Sequence, residues 1–98
     1  MLPTSVDVAG VAYQVQEKEF TEISDGANIL GVCIYDKAQI LVKSTMPKER
    51  KEEVFVHELL HAILYEAGFG EHDEDLVNRA GKVLYQVLKD NKLTFLKG

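Results

Sequence analysis

Up to about residue 43 the apolar positions come in short alternating or continuous runs, and beyond Ser44 they recur at spacings of three and four. The first regime belongs to strands and the second to helices. Partial alternation extends from Val6 to Phe20, and Ala9-Gly10 interrupts it as a turn would. This predicts a hairpin, with a short strand over residues 6–8 and a longer one over 11–17 that sets Val11, Tyr13 and Val15 on one face. Residues 21–28 are polar, contain Asp25-Gly26 and form a connecting loop. Residues 29–35 have the composition of a buried strand, Asp36-Lys37 breaks it, and residues 38–43 make a second strand, the two joined as a hairpin.

The period changes at Ser44-Thr45-Met46-Pro47, where Ser or Thr can cap a helix and proline is tolerated in its first turn. A helix of about 20 residues is expected from near Pro47 to Ala67. Its first two turns are charged and the rest is so apolar that burial nearly all round is expected. Gly68 ends it, able to take the left-handed conformation just past the last turn. A second helix is predicted over residues 73–90, with Leu76, Val77, Ala80, Val83, Leu84, Val87 and Leu88 as its apolar stripe. The acids at its start suit the positive end of the helix dipole. In the tail after Asn91, Leu93, Phe95 and Leu96 are expected to turn back on the core. The fold class is therefore α+β, a small antiparallel sheet of roughly three to four strands against two long helices.

Within the first helix lies Val-His-Glu-Leu-Leu-His, which places His57, Glu58 and His61 in the order H-E-x-x-H. Residues four apart on a helix share a face, so both imidazoles can meet one metal ion while Glu58, one step round, reaches its open side. That is the arrangement of a zinc hydrolase. The competing explanation is a pair of hydrogen-bonded core histidines. Two imidazoles and a carboxylate on so apolar a background fit it poorly, since each buried polar group left unpaired costs about 1–3 kcal/mol.

Composition narrows the class further. Ninety-eight residues suffice for one domain with a single core, not for a deep cleft between two lobes. The net charge of −5 is spread over both halves without a basic stripe, so nucleic acid is not an expected partner. Cys33 is alone, excluding an intrachain disulfide, and its neighbours Val32 and Ile34 mark it as a small buried hydrophobe. No basic-then-apolar leader opens the chain and no apolar run approaches the roughly 18–20 residues that span a bilayer. The expectation is a protein of a reducing cytoplasm with no membrane partner.

A catalytic zinc commonly takes three protein ligands and keeps a fourth position open. A site of the form H-E-x-x-H-x-x-G-x-x-H is excluded, since positions 64 and 67 are Leu64 and Ala67. The acids and histidine after the Gly68–Gly70 turn remain: His72, Asp73, Glu74 and Asp75. A short turn folds the second helix back on the first, so any of the four can reach.

Glu74-Asp-Leu-Val-Asn78 resembles the E-x-x-x-D/N of the gluzincins, the thermolysin-like clan. In that clan a glutamate on the helix after H-E-x-x-H is the third zinc ligand, and an Asp or Asn one turn on supports the first histidine. The resemblance implies a metal set of His57, His61 and Glu74, with Asn78 in contact with His57. It accords with Glu74 and Asn78 sharing a helix face, and with the need of a metal-bound imidazole for an outer hydrogen-bond partner. The order of elements is similar to the minigluzincins. The run from His57 to Ala67, with Leu84-Tyr-Gln-Val-Leu-Lys-Asp-Asn91, resembles small ImmA/IrrE-type metallopeptidases of bacteriophages and prophages, which implies a host bacterial cytoplasm.

The same resemblance implies a zinc-dependent endopeptidase acting on a peptide or protein substrate, with Zn²⁺ as cofactor and Glu58 as general base. In the family the substrate lies along an edge strand, and residues 38–43 are expected to provide it. Tyr35 and Tyr65 are the tyrosines near enough to be considered as oxyanion donors, and packing explains both. The alternative is an inactive zinc-binding accessory module of phage origin, in which the metal joins two helices and its binding energy becomes folding energy.

Overall fold

A computed structural model describes residues 2–19 and 29–97. The loop expected over residues 21–28 lies outside them. The described chain forms strands β1 (Ser5–Val8), β2 (Val11–Lys18), β3 (Gly31–Ile34) and β4 (Gln39–Lys43). Helices α1 (Lys48–Glu66) and α2 (Glu74–Asp90) follow, then a short 3-10 turn at Thr94–Lys97. This is the expected α+β class. Between β1 and β2 the chain turns through Ala9 and Gly10 with φ of 52° and 83°. Two successive positive φ values match the right-handed twist of the flanking strands, although only the second residue is a glycine.

The strand order is β1-β2-β4-β3, with β2 and β4 parallel from Gln14↔Gln39 to Lys18↔Lys43 and the other pairs antiparallel. The sheet is thus mixed rather than wholly antiparallel. This order also corrects the expected edge: residues 38–43 lie mostly in β4, which has a partner on each side, and among the described residues the edge strands are β1 and β3. Ile40, Leu41 and Val42 of this strand are all nearly inaccessible.

One face of the sheet supplies Val8, Tyr13, Val15, Ile40 and Val42 to the core, and α1 covers them with Phe55, Val56 and Ala62. Tyr13 is fully buried, and its hydroxyl donates to Glu66 Oε2 at 2.7 Å, which gives its one polar atom a partner. Burial, reinforced by Glu66, holds the Tyr13 phenol protonated well above its ordinary range. Cys33 lies on β3 against the same cluster. Its thiol is pushed up to about 12 by burial and then by Glu58 and Glu66, so it stays an unreactive hydrophobe.

The backbone of α2 meets that of α1 and of no strand among the described residues. The molecule is therefore three layers deep: sheet, α1, α2. With one neighbour to bury against, α2 hides Val77 and Gly81, half-buries Ala80, Leu84 and Val87, and leaves Leu76, Val83 and Leu88 exposed. Three of the seven stripe positions are thus outside the core. The tail differs too, because Phe95 and Leu96, each 73% exposed, turn outward with Leu93.

The helix boundaries follow local chemistry. Pro47 stands at the N-cap position just before α1, and neither Ser44 nor Thr45 caps the helix, since no side chain bonds the first turn. At the other end Gly68 takes φ 100°, with its N–H on Tyr65 O and that of Phe69 on Leu64 O, both at 3.0 Å. This paired closure is the Schellman arrangement and satisfies two terminal carbonyls.

Candidate metal centre

The three-layer build puts the middle of α1 under covering on both sides. Toward the sheet, Gly31 of β3 lies so close that a Cβ there would stand 2.5 Å from Val54 Cγ1 and 3.2 Å from Glu58 Cγ. Toward α2, Gly81 faces the His57 backbone, its would-be Cβ 3.8 Å from His57 Cα. These contacts hold the motif's helix in place. His57 is half-buried, and Glu58 and His61 are buried at 9% and 8% exposure.

Glu74 enters from the first turn of α2. One carboxylate oxygen is 3.7 Å from His57 Nε2 and the other 3.2 Å from His61 Nε2. The imidazoles stand edge to face, with centroids 5.1 Å apart. One ligand atom from each of His57, His61 and Glu74 fits within 4.8 Å of the others. Ligands about 2.0–2.1 Å from a tetrahedral ion stand roughly 3.3 Å apart, so a modest contraction gives a three-ligand site. Two imidazole nitrogens and one carboxylate oxygen are also the donor types that Zn²⁺ takes at sites with an open position. The residues fit the ion.

The other acids and the histidine after the turn are engaged elsewhere. Asp73 caps α2, its Oδ1 accepting from the backbone N–H of Asp75 at 2.9 Å and of Leu76 at 3.2 Å. That role is legible in an acid standing just before the helical period. Asp75 lies 3.5 Å from Arg79 on the exposed side of α2. His72 contacts His61 and the carbonyl of Phe69, each at 2.7 Å. Asn78 lines the same groove as His57 and Glu58, but no side-chain hydrogen bond joins it to His57 among the described residues.

The electrostatics separate the two acids. Glu58 is pushed up to about 7, by burial first and by the charge of Glu74 second. A carboxyl held near neutrality is suited to take and return a proton. For His61, burial is the largest influence and lowers its pKa, which favours the neutral ring that a metal requires. Tyr35 and Tyr65 stack on each other with centroids 4.3 Å apart, and Tyr35 meets His72 edge-on at 6.1 Å. Burial pushes the Tyr35 phenol up to about 12.

Beside His57 and Glu58 opens a groove of about 340 Å³, floored by Leu30, Gly31 and Val54 and rimmed by Arg50 and Lys82. Nothing in the sequence distinguishes the two rim cations, because only the crossing of α2 over α1 brings them to one place. No described helix is long and apolar enough to cross a membrane. No family model, curated protein or solved structure matches the chain.

Proposed function

We propose that the protein is a zinc-dependent endopeptidase of the small gluzincin type. The observation that carries this reading is the convergence of His57 Nε2, His61 Nε2 and the Glu74 carboxylate at one-ion spacing, with buried Glu58 beside them. When bound, Zn²⁺ supplies Lewis-acid polarisation of a carbonyl and makes a water easier to deprotonate. Glu58 receives that proton on its carboxylate and returns it to the leaving amine, with a proton affinity already near the working pH. The resemblance of the run from His57 to Ala67, with that from Leu84 to Asn91, to ImmA/IrrE-type peptidases of phages and prophages supports a peptide or protein substrate.

The sheet supplies a place for that substrate. β3 pairs with β4 on one side only among the described residues, and Gly31 brings it against Val54 and Glu58. An extended peptide added to its free edge would align main-chain groups along the strand and side chains over the groove.

A second reading is favoured by one observation, that among the described elements the backbone of α2 meets α1 alone. A metal joining the two helices would then serve as a crosslink in an accessory module. Metal content and cleavage of an unstructured casein-type substrate separate the readings. In the peptidase, Glu58→Gln keeps its zinc and its fold while cleavage falls by about 10²–10⁴-fold. Zinc-loaded wild type that cleaves nothing across the neutral pH range would leave the crosslink reading in place.

A further inference from the structure

We propose that the groove beside His57 and Glu58 is a subsite for an acidic side chain of the substrate, with Arg50 and Lys82 as the residues that select it. The inference rests on the peptidase reading for why a peptide is there, and on the groove alone for which side chain it takes. The chain as a whole is acidic, with 16 Asp and Glu against 11 Lys and Arg, yet this groove has a cation from each helix on its rim. A negative substrate is disfavoured by the surface at large and favoured here. The apolar floor of Leu30, Gly31 and Val54 can take the methylenes of a glutamate while its carboxylate reaches the rim.

Neither cation is committed elsewhere. Lys51, Arg79 and Lys89 each meet a carboxylate, at 2.7, 3.5 and 3.0 Å. Lys82 meets none among the described residues, and Arg50 has only Glu53, at 3.9 Å between side chains 57% and 42% exposed. Glu53 lines the groove as well and offsets part of the Arg50 charge. A contact of that length and exposure is weak, and a carboxylate that accepts two hydrogen bonds from the guanidinium displaces it.

The placement also limits where the acidic residue stands relative to the bond that is cut. Arg50 precedes His57 by about two turns of α1, roughly 10 Å along the axis. α2 runs against α1, since Glu74 lies 3.2 Å from His61, Tyr85 bonds Glu52 and Lys89 bonds Glu49. Lys82, farther along α2 than Glu74, is therefore displaced from it in the same direction. An extended peptide covers about 10 Å in roughly three residues. The acid should accordingly lie within about three residues of the scissile bond, and always on one side of it.

Mass-spectrometric profiling of the cleavage sites made in a complex peptide mixture tests the preference of the zinc-loaded protein. Asp and Glu should be enriched on one side of the cleaved bond by about threefold to tenfold, as expected for two exposed ion pairs. The enrichment should vanish in Arg50→Gln/Lys82→Gln and pass to Lys and Arg in Arg50→Glu/Lys82→Glu. Cleavage without that enrichment, or enrichment that survives both variants, overturns the subsite and leaves the peptidase reading intact. Binding decides the subsite independently of cleavage. ¹⁵N spectra of Glu58→Gln in zinc are titrated with two capped peptides that differ only in one glutamate or glutamine. The glutamate peptide should bind about threefold to tenfold more tightly, shift residues 29–31 and 78–82, and lose its advantage in high salt. Equal binding of the two peptides sinks the subsite whether or not the protein cleaves anything. A preference for the glutamate peptide in a protein whose wild type cleaves nothing keeps the subsite and sinks the peptidase reading.

Discussion

α1 and α2 are nearly the same length, 19 and 17 residues, and both carry apolar side chains at spacings of three and four. Their surroundings differ. Among the described elements, α1 has the sheet on one side and α2 on the other, whereas the backbone of α2 meets only α1. A helix with two neighbours holds its side chains from two directions, and so the buried residues of α1 include two of its three motif groups, Glu58 and His61. The helix with one described neighbour carries the third candidate ligand, the largely exposed Glu74. The candidate centre therefore joins a rigid pair of imidazoles to a carboxylate on the least constrained helix. A metal bound there would act most strongly on α2.

Removing the metal should give the largest effect. An ion present at 100–1,000 times its dissociation constant stabilises a fold by about 2.7–4.1 kcal/mol, and chelation should remove that amount. The loss should be uneven. Hydrogen exchange of the metal-free protein is expected to rise first over residues 74–90 and later over 54–62, because the sheet still covers α1. Simultaneous loss of protection in both helices would show that α1 has no advantage from its second neighbour.

Glu58 tests the cost of holding a carboxylate on the rigid helix. Its pKa is 4.5 in an exposed chain and about 7 in the fold. Below pH 4.5 the group is protonated in both states and carries no penalty. Between 4.5 and 7 the unfolded chain releases a proton that the folded chain keeps, and above 7 the penalty is complete at about 3 kcal/mol. Metal-free Glu58→Gln should therefore be more stable than wild type by about that much at pH 8 and equal to it near pH 4, as read from urea melts. An equal difference at both pH values would show that packing, not ionisation, separates the two proteins.

The two glycines flanking the motif compare its two faces. At Gly31 a methyl group would meet Val54 Cγ1 at 2.5 Å and Leu41 O at 3.2 Å, so Gly31→Ala should destabilise by about 1–3 kcal/mol and displace the helix at Glu58. At Gly81 the nearest atom is 3.8 Å away, an ordinary contact in mid-helix. Gly81→Ala should stabilise by about 0.5–1 kcal/mol through helix propensity. Thermal melts of the two variants moving in the same direction would contradict the contrast between a tight sheet face and a looser helix face.

The features legible in the sequence are local. The change of period at Ser44, the turns at Ala9-Gly10 and Gly68, and the spacing of His57 and His61 each depend on neighbours a few residues away. The parallel pairing of β2 with β4 is not legible, because it depends on how a chain of some twenty intervening residues returns, and hydrophobic patterning carries no strand direction. Nor can a stripe on α2 reveal how many layers cover it. Within the site, Asn78 shares a face with Glu74, but a shared face does not fix a side-chain contact. His72 is legible as a candidate ligand only; its contact with His61 needs the Schellman turn to bring the two rings together.

The smallest expected effect lies on the outer side of α2. Leu76 and Val83 are 57% and 61% exposed, so they already have most of their surface in water when folded. Replacing Val83 by Lys removes little buried area and adds no unpaired buried charge, and the stability change should stay within about 0.5 kcal/mol. The same replacement at Val77, which is fully buried between the helices, would place an ammonium without a partner in the α1–α2 contact and should cost several times more. A large loss at Val83, measured by urea melts at two protein concentrations, would mean that α2 has a second neighbour in solution. Concentration dependence would then identify that neighbour as another copy of the chain.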